Sequence, residues 1–304
     1  MDYTKLIKDA FLITWKDRIL WIFGIFAGGS IGYSLRIPFQ YSTSGSEIGS
    51  SQTNALSGLT ATEQSALDQI SNFIVEHAIA IGLIMLGIIF LAIIFWIFSI
   101  ISNGALIGLG KNADESKRIG FVEGFKIGVH NFWKILEIWF LMALIMVITL
   151  AIFSVVPIAL IVFKQYILLF FVGLIEFILL IIVTYAIAII ALFAYRHTVI
   201  ADAGIIESIS NAYNLFKKHW KKIVIVTLLM IAVGIIFGMI SGAAVLILVL
   251  LLGGISFLIF LISQTAGLIA GAILLGVMIA FILVLKGAYG SFQSLVWTLT
   301  YLRL

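Results

Sequence analysis

The chain has 304 residues, of which 63% are hydrophobic and 11% are charged, and its formal net charge is +4. Soluble domains carry about 25% charged residues, so this composition excludes an ordinary soluble domain and indicates a membrane protein. The sequence contains no cysteine, which excludes disulfides, thiolate metal sites and cysteine nucleophiles.

Long apolar runs predict an all-α, polytopic helical bundle, with residues 1–304 as a single membrane domain. A helix needs about 20 apolar residues to span a bilayer. The predicted six spans are about 19–35, 77–101, 135–163, 167–195, 223–252 and 267–290. The last two come from residues 223–285, which contain no charge. Two long helices divided near Gly253–Gly254, with 255–266 as their outer connection, fit this block. Three short helices would also fit and give seven spans.

Lys and Arg residues are divided unevenly between the two predicted sides of the bundle. Residues 1–18 hold four, 102–134 hold five and 196–222 hold five, whereas 36–76 and 164–166 hold one each. Because basic residues concentrate in cytoplasmic segments, this distribution predicts that both termini are cytoplasmic. The Ser-, Thr- and Gly-rich segment 36–76 is then expected to be an external loop.

A Trp–Lys pair lies at three boundaries between a mixed polar segment and an apolar run. The mixed segments are 1–18, 118–134 and 202–222, and their apolar residues recur at helical spacing. We interpret them as three amphipathic cytoplasmic helices on the membrane surface, because Trp and Lys both suit the headgroup boundary. Packing on protein is the alternative. The predicted contacts to anionic lipid headgroups are Trp15, Lys16, Trp133, Lys134, Lys217, Lys218, Trp220, Lys221 and Lys222.

Two further patterns concern packing within the bundle. The second and third mixed segments align as FVEGFKIGVHNF with IIESISNAYNLF, so that Gly128 matches Ala212. Glycines also recur at intervals of four, a spacing that lets helix backbones approach closely. These glycine series are Gly24, Gly28 and Gly32; Gly120, Gly124 and Gly128; and Gly234, Gly238 and Gly242. We expect close helix packing, and a homo-oligomer or a membrane-protein partner is a further interpretation.

Four segments together resemble a known group of proteins. They are AFLITWKDRILWIFGIFAGG, NGALIGLGKNADESKRIGFVEGFKIGVHNFWKIL, ESISNAYNLFKKHWKKI and WTLTYLRL. They look like prokaryotic polytopic proteins similar to the membrane domain attached to some glycerophosphodiester phosphodiesterases, including stand-alone members without an assigned activity. Nothing in the chain could form the soluble catalytic domain. The resemblance therefore implies a module of the prokaryotic cytoplasmic membrane and implies no enzyme.

Chemical motifs are scarce, and Glu176 is the one candidate functional residue within a span. The four histidines fall near predicted membrane boundaries, which favours local hydrogen bonding over metal binding. Glu176 lies about ten residues inside the fourth span, where an ionised carboxylate is costly. Its structural interpretation is a neutral acid that is hydrogen-bonded to another span, for example through Thr184 or Ser154. Its functional interpretation is a site that couples proton or cation movement.

These patterns favour a non-enzymatic membrane scaffold that organises lipids or partner proteins. The alternative is a small-solute or ion transporter or permease component that uses Glu176, and an intramembrane lipid enzyme ranks last. We expect no catalytic residue, no cofactor, no metal and no nucleic-acid partner.

Overall fold

The computed structural model describes residues 2–27, 76–117 and 120–304, and these residues are almost entirely helical. The helices are α1 (Tyr3–Lys16), α2 (Ile19–Ala27), α3 (Ala78–Asp114), α4 (Phe121–His130), α5 (Phe132–Val162), α6 (Tyr166–Ala201), α7 (Ile205–Ile262) and α8 (Gln264–Arg303). No strand occurs within these ranges. The predicted all-α class is therefore confirmed.

Two compact units divide the chain, and each is considered by itself. One unit comprises Met1–Tyr33 with Ile97–Leu304, and the other is Ser34–Trp96. The described part of the second unit is residues 76–96, which contain the first half of α3. All contacts given below lie within the first unit.

Within the described residues, five helices are long and apolar enough to cross a membrane, namely α3, α5, α6, α7 and α8. A sixth span stays a prediction, because only Ile19–Ala27 of the interval 19–35 is described. The proposed external loop lies, apart from Glu76, outside the described residues.

The predicted division of residues 223–285 near Gly253–Gly254 is wrong. Helix α7 continues to Ile262, and only Ser263, with φ −151° and ψ 119°, separates it from α8. The predicted connection 255–266 is therefore helical except at that one residue, and the block holds two helices rather than three. Two glycines weaken a helix in water, but unwinding in lipid would leave backbone N–H and C=O groups without partners.

A helix break accompanies each of the three Trp–Lys pairs. Helix α1 ends before Asp17, Asn131 separates α4 from α5, and His219 in α7 has non-helical angles of φ −122° and ψ 21°. Each break lies within two residues of its Trp–Lys pair. The described residues therefore contain three units, each with a leading helix, a break and a second helix. The leading helices are α1, α4 and the part of α7 before His219. The location of the leading helices on a membrane surface stays a prediction.

The leading helices bury equivalent positions, which supports the repeat. The buried pairs, each four residues apart, are Leu6 and Ala10, Gly124 and Gly128, and Ser208 and Ala212. The sequence alignment matches the second and third pairs position by position. A Cβ atom on Gly124 would lie 2.6 Å from Cδ1 of Leu109, so α4 packs directly on α3. For the second segment, packing on protein is therefore confirmed.

The core lies at one end of the long helices, which we call the packed ends: residues 99–110 of α3, 189–198 of α6 and 291–300 of α8. Most side chains in these three stretches are buried. At their centre the rings of Phe193 and Trp297 meet edge to face, with centroids 6.0 Å apart. Apolar side chains along 144–182 and 235–284 are largely exposed. Lipid would cover such surfaces in a membrane.

Candidate functional site: a groove beside the packed ends

An apolar groove of about 610 Å³ lies between α1, α7 and α8. Its apolar lining includes Ile7, Phe11 and Trp15 from α1, Val233 and Phe237 from α7, and Phe292 from α8. Among the described lining residues, Lys8 alone is charged. The groove therefore suits a long apolar group that ends in a negative charge.

Helix α1 forms one wall because its sequence separates two apolar faces. Asp2 caps the helix, since its carboxylate accepts from the backbone N–H of Lys5 at 3.1 Å. Ile7, Phe11 and Trp15, at intervals of four, line the groove, whereas Leu6 and Ala10 are fully buried on the other face. The indole N–H of Trp21, beyond the break, donates to the carbonyl of Thr14 at 2.8 Å, which stabilises the break.

Stacked aromatic rings shape the opposite wall. Phe237 of α7 and Tyr289 of α8 stack with centroids 4.6 Å apart. Gly234 permits this arrangement, because a Cβ atom there would lie 2.8 Å from the Tyr289 hydroxyl. For Gly238 and Gly242, in the same predicted series, no heavy atom of the described residues lies within 4 Å of the position that a Cβ would take. Of this series, only Gly234 allows a close contact within the described chain.

Ion pairs and hydrogen bonds next to the packed ends hold α8 in place. Arg303 contacts Asp9 of α1 at 2.9 Å and Asp114 of α3 at 3.3 Å. His197 of α6 contacts the Tyr301 hydroxyl through Nδ1 at 2.6 Å. Its Nε2 lies 2.9 Å from the Asn211 amide of α7. These contacts join five helices, α1, α3, α6, α7 and α8, and they show His197 hydrogen-bonded as expected.

Arg196 is a feature that sequence reasoning missed. In the sequence it contributes only one of the positive charges of a predicted cytoplasmic segment. In the structure it is 5% exposed, at the packed end of α6. Its guanidinium donates to the carbonyls of Leu192 at 2.8 Å and Ser294 at 3.2 Å. Arg196 therefore joins α6 to α8 through backbone groups, and no local sequence pattern indicates the distant partner.

Most of the predicted headgroup contacts are exposed. Trp15, Trp133 and Trp220 are 58%, 68% and 51% exposed. The ammonium of Lys221 lies 5.7 Å from the Trp220 ring centroid. The remaining exposed lysines of the set are Lys16, Lys217 and Lys218, and Lys222 is half-buried.

Lys134 differs from the other predicted headgroup contacts because it has a protein partner. Its ammonium lies 2.6 Å from the Asp202 carboxylate and also donates to the Asp202 carbonyl at 3.3 Å. The hydrogen bond from Lys134, and then its charge, lower the pKa of the Asp202 carboxyl group. This ion pair joins the start of α5 to the end of α6.

His219, at the third break, lies among positively charged lysines. Loss of hydration lowers its pKa, and the charges of Lys222 and Lys218 lower it further. The break is therefore expected to carry a neutral imidazole between cationic neighbours at neutral pH.

Glu176 does not make the predicted structural bridge. Its Oε2 atom is buried and has no hydrogen-bond partner in the described part of the chain. Thr184 donates to the carbonyl of Leu180 at 2.7 Å, and Ser154 donates to that of Ala151 at 2.8 Å. Both hydroxyls prefer their own helix, where an acceptor is always within reach. The bridge to Thr184 or Ser154 is therefore wrong.

The remaining glycine series place backbones in close contact. Gly24 of α2 meets Gly287 and Ser291 of α8, whereas Gly28 and Gly32 lie outside the described residues. Gly128 of α4 meets the carbonyl group of Ile101 in α3. The expectation of close packing is thus confirmed for Gly24, Gly124 and Gly128.

Metal chemistry has no candidate in the described ranges, where no three His, Asp or Glu side chains form a group that could hold an ion. A comparison with protein families, curated proteins and solved structures finds no match for the chain. The class of protein is therefore defined by the fold alone. The five long apolar helices of the described residues have the architecture of a multi-pass membrane protein.

Proposed function

We propose that the chain is a non-enzymatic module of the cytoplasmic membrane that holds and organises anionic lipids beside its packed ends. The apolar groove carries this proposal. A lipid acyl chain fits the lining of Phe11, Val233 and Phe237, and its phosphate would pair with Lys8. Burial of each CH₂ group contributes about 0.8 kcal/mol in water. Within a bilayer that gain largely disappears, so shape and the lysine charge determine selectivity.

The three leading helices support the same function. In this proposal they lie at the cytoplasmic boundary, with their exposed Trp rings among the headgroups. The third helix also docks on protein, because Ser208 and Ala212 are buried. Its exposed face presents Lys217 and Lys218, and each basic residue near an anionic surface contributes about 1 kcal/mol.

Lipid retention by the purified chain tests the groove. Wild type and Ala288→Phe, which fills the groove, are extracted in mild detergent, and bound phosphatidylglycerol and phosphatidylcholine are counted by native mass spectrometry. The matched control is Ala280→Phe, an exposed position on α8 that does not line the groove. We expect Ala288→Phe to lose at least half of the bound phosphatidylglycerol, and the control to keep it. Equal retention by the two variants would refute the proposal.

One observation favours a transporter as the second candidate. Glu176 has a buried oxygen without a hydrogen-bond partner in the described structure, as expected of a group that awaits a proton or cation. Glu176→Gln keeps the shape but cannot change charge. A Gln variant that folds normally and fails growth complementation would establish this candidate, whereas full complementation would exclude it.

A further inference from the structure

A second cavity, which we call the basic cleft, lies away from the apolar groove. It has a volume of about 550 Å³ and lies between α3, α4, the break before α5 and the end of α6. Its polar lining includes Lys111, Asn112, Lys126, His130, Asn131 and Asp202. Residues from four separate segments thus converge on one opening.

The charge balance of the basic cleft is positive. Lys111 and Lys126 contribute two ammonium groups, and the carboxylate of Asp202 is already paired with Lys134 at 2.6 Å. His130 is 3.9 Å from the same carboxylate. The nearby acid Glu123 accepts a hydrogen bond from Asn112 at 2.8 Å. An anion in the cleft would therefore meet more positive than negative charge.

Lys111 is held in position with donors to spare. Its ammonium donates to the carbonyl of Ile200, in the last turn of α6, at 3.1 Å. An ammonium group has three N–H donors, so two are available for a ligand. Lys126 is exposed and has no such anchor among the contacts of the described residues. It can move toward an anion at little cost.

Asn131 supplies a group of the opposite kind. It is 4% exposed, and its amide N–H donates to the carbonyl of Ile127 at 3.0 Å. Its Oδ1 atom is buried, and no donor reaches it from the described residues. Buried acceptors in native structures nearly always have a partner. A ligand that satisfies Asn131 must therefore carry an O–H or N–H donor.

We propose that the basic cleft binds a phosphate ester that carries a hydroxyl group. Lys111 and Lys126 contact the phosphate oxygens, and Asn131 accepts the hydroxyl hydrogen through Oδ1. Phosphate groups with a neighbouring hydroxyl occur both in lipid headgroups and in soluble metabolites. The two sources are distinguished below.

Binding to the full chain, in detergent for soluble probes and in nanodiscs for lipids, tests this site with matched probes. The soluble pair is 2-hydroxyethyl phosphate and ethyl phosphate, and the lipid pair is phosphatidylglycerol and phosphatidylmethanol in nanodiscs. Each pair differs by the hydroxyl-bearing group that Asn131 would bind. We expect the hydroxyl-bearing member of at least one pair to bind several-fold more tightly. Response to the lipid pair alone identifies a headgroup as ligand, and response to the soluble pair identifies a free phosphate ester. If neither pair discriminates, the proposal fails.

Variants separate this site from the groove. Lys126→Gln should weaken binding about fivefold, the effect of one basic residue near an anion, whereas Lys117→Gln, outside the cleft, should have no effect. The groove variant Ala288→Phe should keep the preference for the hydroxyl-bearing member of each pair, so the site can fail or succeed independently of the proposed function. Equal affinity of Lys126→Gln and wild type would overturn the proposal.

Discussion

The crossing of α2 and α8 at Gly24 and Gly287 should not tolerate even one added methyl group. A Cβ atom on Gly24 would overlap the carbonyl oxygen of Gly287 and lie 2.9 Å from the backbone nitrogen of Ser291. Both neighbours are backbone atoms of a helix, so neither can turn aside as a side chain could. Gly24→Ala must therefore push the two helices apart.

The magnitude follows from two opposing effects. Overpacking a close contact costs about 1–3 kcal/mol, and Ala in place of Gly recovers up to about 1 kcal/mol of helix propensity. We expect a net loss of roughly 1–2 kcal/mol, or roughly 2–8 °C in the apparent melting temperature. Gly238→Ala on α7 is the matched control, because no heavy atom of the described residues lies within 4 Å of the position that its Cβ would take. It should be neutral or slightly stabilising.

The assay is thermal unfolding in detergent, followed by the fluorescence of the seven tryptophans. Gly287→Ala should behave like Gly24→Ala, since its Cβ would lie 2.5 Å from the carbonyl oxygen of Trp21. The double variant should lose less than the sum of the two, because helices already separated have room for the second methyl. If Gly24→Ala and Gly238→Ala have the same melting temperature, the helices do not cross there and the reasoning is refuted.

Three further substitutions test contacts away from this crossing. Glu176→Leu should raise the melting temperature, because a buried oxygen without a partner costs about 1–3 kcal/mol; a lower value would mean that the carboxyl has a partner outside the described residues. Tyr301→Phe removes the hydroxyl that contacts His197 and should lower the free energy of unfolding by about 1 kcal/mol. The control Tyr213→Phe changes an exposed side chain and should have no effect. Equal losses by the two variants would contradict the contact. Lys134 lowers the pKa of the Asp202 carboxyl group from its ordinary value of 3.8. Their ion pair therefore stabilises the fold at pH values above 3.8, and this stabilisation is lost as the pH falls through the lowered pKa. The small difference in melting temperature between wild type and Lys134→Gln at pH 7 should therefore vanish in stronger acid. A difference that grows in acid would contradict this pH dependence.

The repeat of leading helix and break could be predicted because its signal is local. Apolar spacing and the Trp–Lys pairs lie within about 20 residues of each break, so helix geometry alone relates them. The helix continues through Gly253–Gly254 despite the low helix propensity of glycine, as expected of a segment that must keep its backbone hydrogen bonds in lipid. A glycine pair that would favour a turn in an aqueous protein therefore does not end the helix here.

The candidate sites depend on contacts between distant parts of the chain, which no periodicity encodes. The apolar stripe of α1 was visible in the sequence, but its partners Phe237 and Tyr289 come more than 200 residues later. Lys134 was expected at headgroups, and nothing in the sequence indicated its ion-pair partner Asp202, which lies 68 residues away. Asn131 is unremarkable in sequence and becomes informative only when its buried oxygen is found without a partner.

Single-cysteine labelling tests the central claim most directly, namely that the leading helices and packed ends lie on the cytoplasmic side. The native chain has no cysteine, so each introduced thiol reports alone. Ser116 and Ser210 are exposed near α3 and on the third leading helix, whereas Ser208 is fully buried and unsuitable. Ser50 lies in the proposed external loop. A membrane-impermeant maleimide should label Ser50→Cys in intact cells, and should label Ser116→Cys and Ser210→Cys only after permeabilisation. Labelling of either of the last two from outside would contradict the account.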